Sequence, residues 1–150
     1  MKSRILITGS SRGLGKIAVQ SFKDSGWEVH GFDRTHFDFL KEGWDYVVPE
    51  VDAVIHCAGG GLGLRGPLLT ARAGYELFMV NLGGAMEINR MILPHMMAKK
   101  EGYICHVCSI ASGEAVGSVG YNTVKAALGA YVRSLGREMA PYGVVVSGIA

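Results

Sequence analysis

The chain has 150 residues, of which 49% are hydrophobic and 19% charged, and its formal net charge is +2. This composition excludes a disordered chain and predicts one globular domain, and the small net charge predicts neither a nucleic-acid nor a membrane partner. With no signal-like segment and three cysteines expected as free thiols, the sequence predicts a cytoplasmic protein.

A strand predicted over Arg4–Thr8 leads into a glycine-rich loop and then into a helical pattern that ends near Gly26. In this order of elements, glycines let the backbone approach a pyrophosphate, and the helix N-terminus offers free N–H groups to it. The helical pattern places apolar residues on one stripe, expected to face the core: Leu14, Ile17, Ala18 and Phe22. The loop predicts a dinucleotide site made by Gly9, Ser11, Arg12, Gly13, Leu14 and Gly15. A plain strand-to-helix turn is the alternative.

The second predicted strand, over residues 27–33, ends in Asp33. A carboxylate at this position can bind the adenosine ribose hydroxyls and repels a 2′-phosphate, so it favours NAD. Arg12 and Arg34 could instead pair with a phosphate, which leaves NADP open as the cofactor. Asp33 could also be only a turn residue.

Residues 37–39 look like a short third strand, in which Asp38 either faces the adenine or is solvated. The segment 41–49 is too short for a long crossover helix, and we expect a short helix or an irregular turn. A fourth strand over 51–57 ends at Ala58, Gly59 and Gly60. Loops at the carboxyl ends of central strands bind ligands in open α/β sheets, so we predict cofactor contacts from these three residues.

The second half continues the alternation of helix and strand. A helical pattern over 70–99 is interrupted at 81–84 by an asparagine and two glycines, which predicts a kink or an inserted water. A fifth strand over 103–108 ends at Ser109, and a sixth begins at Val144. The chain therefore reads as an α/β domain.

Tyr121 and Lys125 stand four positions apart on the last predicted helix, so both side chains lie on one helix face. A neighbouring cation favours the phenolate form of a tyrosine, which makes Tyr121 a candidate proton carrier. The Ser109 hydroxyl could hydrogen-bond a substrate carbonyl, although a serine at such a place is more often a cap or turn residue.

No metal site is predicted. Cys105 and Cys108 enclose His106, but residues three apart on a strand point to opposite faces, and no second pair of ligands exists. His56 and His106 are therefore interpreted as structural residues.

These motifs, in their order along essentially the whole chain, resemble the short-chain dehydrogenase/reductase family. They are Thr8-Gly9-x-x-x-Gly13-x-Gly15, Asp33, His56-Cys57-Ala58-Gly59, Asn81, Ser109 and Tyr121-x-x-x-Lys125. The resemblance implies a three-layer, doubly wound parallel sheet, the Rossmann fold, in a single domain over residues 1–150. It implies an NAD- or NADP-dependent oxidoreductase that interconverts an alcohol and a ketone or aldehyde.

The resemblance also implies roles for four residues. Tyr121 would be the general acid/base, and Ser109 would hold the substrate carbonyl. Lys125 would favour the tyrosinate and bind the nicotinamide ribose. Asn81 would position a water that relays protons to Lys125.

Two departures from the family pattern bear on the function. His56 and Cys57 stand where the family usually has two asparagines, so some contacts that stabilise the sheet are expected to differ. Family members continue with a substrate lid and a seventh strand, so we expect this chain to be truncated after the sixth strand. A sugar-nucleotide epimerase or dehydratase, and a non-catalytic dinucleotide-binding module, remain the alternatives.

A homodimer or homotetramer is expected from the two helices that carry Asn81 and Tyr121. Both have apolar residues on more than one side, and such helices pack against more than one surface. The residues are Leu82, Met86, Met96, Leu128, Tyr131 and Leu135.

Overall fold

The computed structural model describes residues 2–41 and 47–150, and its strands form one parallel sheet of five. The strands are β1 (Arg4–Thr8), β2 (Glu28–Phe32), β3 (Ala53–His56), β4 (Gly102–Val107) and β5 (Val144–Ile149). They lie in the order β2-β1-β3-β4-β5, so the chain runs outward from β1 to β2 and then continues on the other side of β1. This reversal makes the fold a doubly wound α/β fold, as expected, and its switch point lies between β1 and β3.

Helices cover the sheet. They are α1 (Gly13–Asp24), α2 (Ala71–Phe78), α3 (Gly84–Lys99) and α4 (Val119–Met139). One core joins strand residues to α3 through Leu6, Val54, Ile104, Ile88, Ile92 and Met96. On the other face, α1 packs on Ile5, Ile7 and Ala53. Because β1 is buried on both faces, its central residues Ile5, Leu6 and Ile7 are all apolar instead of alternating with polar ones.

The strand predicted over residues 37–39 is wrong. In residues 2–41 and 47–150 the sheet has five strands where six were expected, and β2 lies at its edge. Phe37 is only 3% exposed and lies in the core beside Phe39, whose ring rests against Gly84 of α3. The two aromatic residues therefore anchor a loop and do not pair with a strand. Part of the segment 41–49, residues 42–46, lies outside the described residues.

The apolar stripe predicted for α1 is only partly correct. Ala18 and Phe22 pack on the sheet, but Leu14 and Ile17 are 52% and 67% exposed. The reason is Gly15, which is buried because it lies directly against the Gly9 carbonyl. This contact rotates the helix so that Leu14 is turned away from the core.

The interruption predicted at residues 81–84 is confirmed as a π-helical turn, Met79–Gly83, between α2 and α3. Asn81 sits within it, and its side-chain amide donates to the Leu77 carbonyl at 3.0 Å. Such turns insert one extra residue into a helix and are common at functional sites.

The residues from which we predicted an oligomer lie mostly inside the chain. Leu82, Met96 and Leu128 are buried, Tyr131 and Leu135 are half-buried, and only Met86 of the six is exposed. Their apolar character is explained by packing against the sheet and within the helices, so this basis for the oligomer is wrong. The homodimer or homotetramer itself stays a prediction. Within the described part of the chain, no helix is both long and apolar enough to span a bilayer.

Candidate active site

The carboxyl ends of β1, β2 and β3 and the start of α1 surround a cavity of about 770 Å³. This volume falls in the range of small-molecule and cofactor sites. Its lining contains most of the predicted cofactor-binding residues: Gly9, Ser11, Arg12, Gly13, Leu14, Gly15, Asp33, Arg34, Asp38, Ala58 and Gly59. The other three, Gly60, Tyr121 and Lys125, lie beside the cavity, close to residues 59–61.

The loop before α1 presents bare backbone to this cavity. Gly9 has φ +67°, and a Cβ added to it would lie 2.8 Å from the Ala58 nitrogen, so only glycine lets the loop approach β3 this closely. Gly13 has φ +53°, and no atom lies within 4 Å of the place where its Cβ would be. Arg12, at the start of α1, makes no side-chain capping hydrogen bond. The first N–H groups of α1 are therefore available to an anion, and the site fits a pyrophosphate.

Asp33 follows β2 and is held by its own turn. Its Oδ1 accepts from the Thr35 backbone N–H at 2.9 Å and from the Thr35 hydroxyl at 2.7 Å, and His36 Nδ1 lies 2.9 Å away. The side-chain hydrogen bond from Thr35, followed by that from His36, lowers the pKa of Asp33 to about 2. The carboxylate is thus ionised at neutral pH, at the wall of the cavity. The role of Thr35 was missed, although an Asp followed two positions later by Thr is a common turn pattern.

Two arginines and a second acid share that wall. Arg12 and Arg34 are exposed and line the same cavity as Asp33. Asp38 also lines it, and its Oδ1 accepts from the Leu40 backbone N–H at 3.1 Å. This wall of the cavity therefore carries charges of both signs.

Lys125 is 4% exposed, which is unusual for a charged side chain. Its Nζ donates to the Val107 carbonyl at the end of β4, at 3.0 Å, and lies 5.7 Å from the centroid of the Tyr121 ring. Burial lowers the pKa of Lys125. The structure thus brings the two predicted residues of α4 together at the carboxyl end of the sheet.

Asn81 holds the loop after β3. Its amide donates to the Gly60 carbonyl at 2.9 Å, and its Oδ1 accepts from the Gly60 N–H at 3.0 Å. A Cβ on Gly59 would lie 2.9 Å from Asn81 Oδ1 and 3.5 Å from Lys125 Nζ. Asn81 and Lys125 therefore meet at Gly59, where a side chain would fill the space. Tyr121 lies next to this point, since its ring is 4.0 Å from where a Cβ on Gly61 would be.

Ser109 caps the short 3₁₀ turn Ile110–Ser112. Its Oγ accepts from the Ala111 N–H at 3.1 Å, which is the capping role that we considered as an alternative. The hydroxyl proton is not used in that bond, because Oγ is the acceptor. Ser109 can therefore cap the turn and still donate a hydrogen bond to a ligand.

A buried polar group that the sequence reasoning missed lies under the site. It consists of His56, Asn89, His106 and Tyr131, and we call it the histidine cluster. The rings of His56 and His106 stack with centroids 4.6 Å apart, and Asn89 lies within hydrogen-bonding distance of the other three residues. Burial lowers the pKa of His56 to about 4, and burial followed by the charges of His56 and Lys125 lowers that of His106 to about 2. Both imidazoles are thus neutral structural residues, as interpreted from the sequence.

The three cysteines are free thiols. Burial, together with the neighbouring Cys105, raises the pKa of Cys57 to about 11. In residues 2–41 and 47–150, no three His, Cys, Asp or Glu side chains are grouped closely enough to hold a metal ion.

Comparison with known proteins agrees with this arrangement. A family model described as short chain dehydrogenase matches residues 38–150. The chain is 27% identical to the short-chain reductase protein NovJ of Streptomyces niveus, over 99% of this chain and 68% of that protein. It is 28% identical to the 3-oxoacyl-(acyl-carrier-protein) reductase FabG of Aquifex aeolicus, over 99% of this chain and 62% of that protein. The chain thus spans about two thirds of the length of these relatives.

A solved structure has the same fold. The chain superposes on 4-hydroxyisoleucine dehydrogenase complexed with NADH with a TM-score of 0.87 and 18% identity, over 99% of this chain and 74% of that one. At this identity the likeness shows the fold alone. The family model, however, matches most of the chain, and therefore the chain belongs to the short-chain dehydrogenase family.

Proposed function

We propose that the chain carries the dinucleotide site and the proton-transfer site of an NAD- or NADP-dependent oxidoreductase, which interconverts an alcohol and a ketone or aldehyde. The observation that carries this proposal is the meeting of two features at Gly59. Gly59 lines the cavity at the uncapped start of α1, and Lys125 and Asn81 both lie against Gly59. A ligand that fills the cavity therefore reaches the residues that can move a proton.

The cofactor would be held mainly by backbone. The loop 9–15 and the first turn of α1 would bind the pyrophosphate, and Ala58, Gly59 and Gly60 would add backbone contacts to the cofactor. Asp33 would bind the adenosine ribose. A nicotinamide cofactor, when bound, supplies or accepts the hydride, and the protein contributes orientation and a proton.

Tyr121 would give its phenolic proton to the carbonyl oxygen during reduction and take it back during oxidation. The Ser109 hydroxyl, whose proton is not used in its cap, would donate a hydrogen bond to the same oxygen. Both donors would stabilise the negative charge that develops on that oxygen.

Lys125 would support the tyrosine by charge. A cation near the phenol favours negative charge on its oxygen, and Lys125 Nζ lies 5.7 Å from the centroid of the Tyr121 ring. Its hydrogen bond to the Val107 carbonyl fixes the position of Nζ. The same ammonium group would also bind the nicotinamide ribose.

NAD is the cofactor that Asp33 favours. Its carboxylate is held ionised by Thr35 and His36, and an anion there repels a 2′-phosphate. Arg12 and Arg34 line the same wall and would favour NADP instead. Titrations with NADH and with NADPH measure whether Asp33 or the two arginines dominate the preference. Among proteins of the same fold, 4-hydroxyisoleucine dehydrogenase was solved with NADH.

The names of the relatives favour oxidoreduction over the epimerase and dehydratase alternatives, because NovJ and FabG are both described as reductases. The substrate is proposed only as a class, a small alcohol or carbonyl compound. A net change in NADH absorbance during turnover separates an oxidoreductase from an epimerase, which leaves the amount of reduced cofactor unchanged.

The test begins with a fluorescence titration of the chain with NADH and with NADPH, followed by turnover on a panel of ketones and alcohols. We expect Tyr121→Phe to bind NADH as the wild type does and to lose about 100-fold or more of the turnover. Tyr142→Phe is the matched control, since Tyr142 is 42% exposed on the 3₁₀ turn before β5. Full turnover by Tyr121→Phe would refute the tyrosine mechanism. Binding of NADH without turnover on any member of the panel would favour the non-catalytic module.

A further inference from the structure

The histidine cluster connects four elements of the fold, β3, β4, α3 and α4. His56 is the last residue of β3, and His106 stands one position before the end of β4. Asn89 belongs to α3, and Tyr131 belongs to α4, the helix that carries Lys125. His56, Asn89 and His106 are each at most 4% exposed. A polar group this deep in the fold constrains the elements it joins, because each of its hydrogen bonds is costly to break.

Asn89 is the centre of the cluster, and its amide sets the direction of each bond. Its oxygen can only accept, so His56 Nε2 donates to it at 2.9 Å. Its nitrogen can only donate, and it does so to Tyr131 Oη at 3.0 Å and to His106 Nε2 at 3.4 Å. One side chain of α3 thereby satisfies groups on β3, β4 and α4.

The cluster is next to the anchor of Lys125. His106 is followed directly by Val107, whose carbonyl accepts the hydrogen bond from Lys125 Nζ. His56 is followed by the segment that contains Gly59, against which the same Nζ lies. The relative position of β4 and α4 sets the distance from Nζ to the Val107 carbonyl, and Asn89 joins one residue on each of these elements.

We propose that Asn89 is a positioning residue for Lys125: it joins His106 of β4 to Tyr131 of α4 and so keeps the Val107 carbonyl within hydrogen-bonding distance of the ammonium group. The consequence for cofactor binding rests on the proposed function, in which Lys125 contacts the nicotinamide ribose. The positioning itself does not depend on it.

The surroundings of the two imidazoles keep both rings neutral. Nδ1 of His56 and Nδ1 of His106 are buried and have no hydrogen-bond partner among the described residues. An imidazolium here would be desolvated, without a counter-ion, and close to the Lys125 ammonium. Because both imidazoles are neutral, the positive charge at this place is carried by Lys125. That charge is what would stabilise a phenolate on Tyr121.

Carbonyl ¹³C chemical shifts of Val107, measured by NMR without cofactor, test the positioning directly. Lys125→Met gives the shift of a Val107 carbonyl that has lost its hydrogen bond. Asn89→Leu should move the Val107 signal most of the way towards that value. Tyr131→Phe, which removes only the hydroxyl, should move it in the same direction by less. The matched control is Ile92→Val, a buried position of α3 outside the cluster, which should leave the signal at the wild-type shift although it too destabilises the fold.

NADH titration of the same variants gives the second readout. We expect Asn89→Leu to bind NADH about tenfold more weakly, while Ile92→Val stays within about twofold of the wild type. A folded Asn89→Leu with an unchanged Val107 shift, or an equal shift in Ile92→Val, would overturn the proposal. If Asn89→Leu does not fold, an unchanged Val107 signal in Tyr131→Phe overturns it instead. If the Val107 signal moves as expected but the wild type binds no NADH, the positioning stands and the proposed function fails.

Discussion

Lowering the pH from 8 to 5 should destabilise the folded chain, because two histidines are buried in their neutral form. The pKa of His56 is lowered to about 4 and that of His106 to about 2, whereas a histidine in the unfolded chain has a pKa of about 6.5. Between these values the unfolded chain binds protons that the folded chain does not. Stability is therefore full above pH 6.5 and falls as the pH drops towards the folded pKa values.

The size of the effect follows from the difference in proton binding. At pH 5 an unfolded histidine is almost fully protonated, while both rings of the histidine cluster are still mostly neutral. Relative to pH 8, each buried histidine then lowers the free energy of unfolding by about 2 kcal/mol, and the pair lowers it by about 4 kcal/mol. This is a large share of the roughly 5–15 kcal/mol that stabilises a typical domain. The acids with lowered pKa, such as Asp33 and Asp52, stay ionised at pH 5 and add little in this range.

Urea denaturation followed by circular dichroism at pH 8, 7, 6 and 5 measures this loss. His106→Asn removes one of the two titrating groups. The free energy of unfolding of this variant should therefore fall by only about 2 kcal/mol between pH 8 and pH 5. Ile92→Val, which changes a buried residue of α3 without removing a titratable group, should keep the wild-type loss. If His106→Asn shows the same pH dependence as the wild type, the two rings are not held neutral by burial, and the reasoning fails.

Two further predictions concern the cavity at the start of α1. Gly15→Ala should remove measurable NADH binding and lower Tm by several degrees, because the added Cβ would overlap the Gly9 carbonyl oxygen. Gly113→Ala, where the added Cβ meets no atom within 4 Å, should change neither quantity. Asp33→Ser should shift the ratio of the NADPH and NADH dissociation constants by about tenfold towards NADPH, since it removes an anion and leaves Arg34 in place. Parallel fluorescence titrations measure that ratio, and an unchanged ratio would mean that Asp33 does not discriminate between the two cofactors.

Much of the fold and of the candidate site could be predicted from local patterns. The glycine loop, Asp33 and Ser109 follow strand ends, and Tyr121 and Lys125 lie on one helix, as their neighbours in sequence indicate. The π-helical turn was also predictable in place, because an asparagine and two glycines interrupt a helical pattern. Such features depend on periodicity and on backbone conformation, which a few consecutive residues determine.

Other features could not be read in this way. The F-x-F pattern at residues 37–39 has the alternation of a strand, but the two rings pack in the core beside α3 and the segment forms a loop. Leu14 has the spacing of a core residue, and the contact of Gly15 with the Gly9 carbonyl turns it outward. In both cases a long-range contact outweighs the local pattern.

The sequence by itself determined the class of fold, the glycine loop before α1 and the placing of Tyr121 and Lys125 on one helix face, because each of these is a local arrangement of neighbouring residues. Only the tertiary structure decided how these parts work together. Residues from β3, α3, β4 and α4, up to 75 positions apart, meet in the histidine cluster beneath Lys125. No local sequence pattern predicts such a cluster. Its members become neighbours only when the parallel sheet brings the ends of its strands together: they are His56, Asn89, His106 and Tyr131.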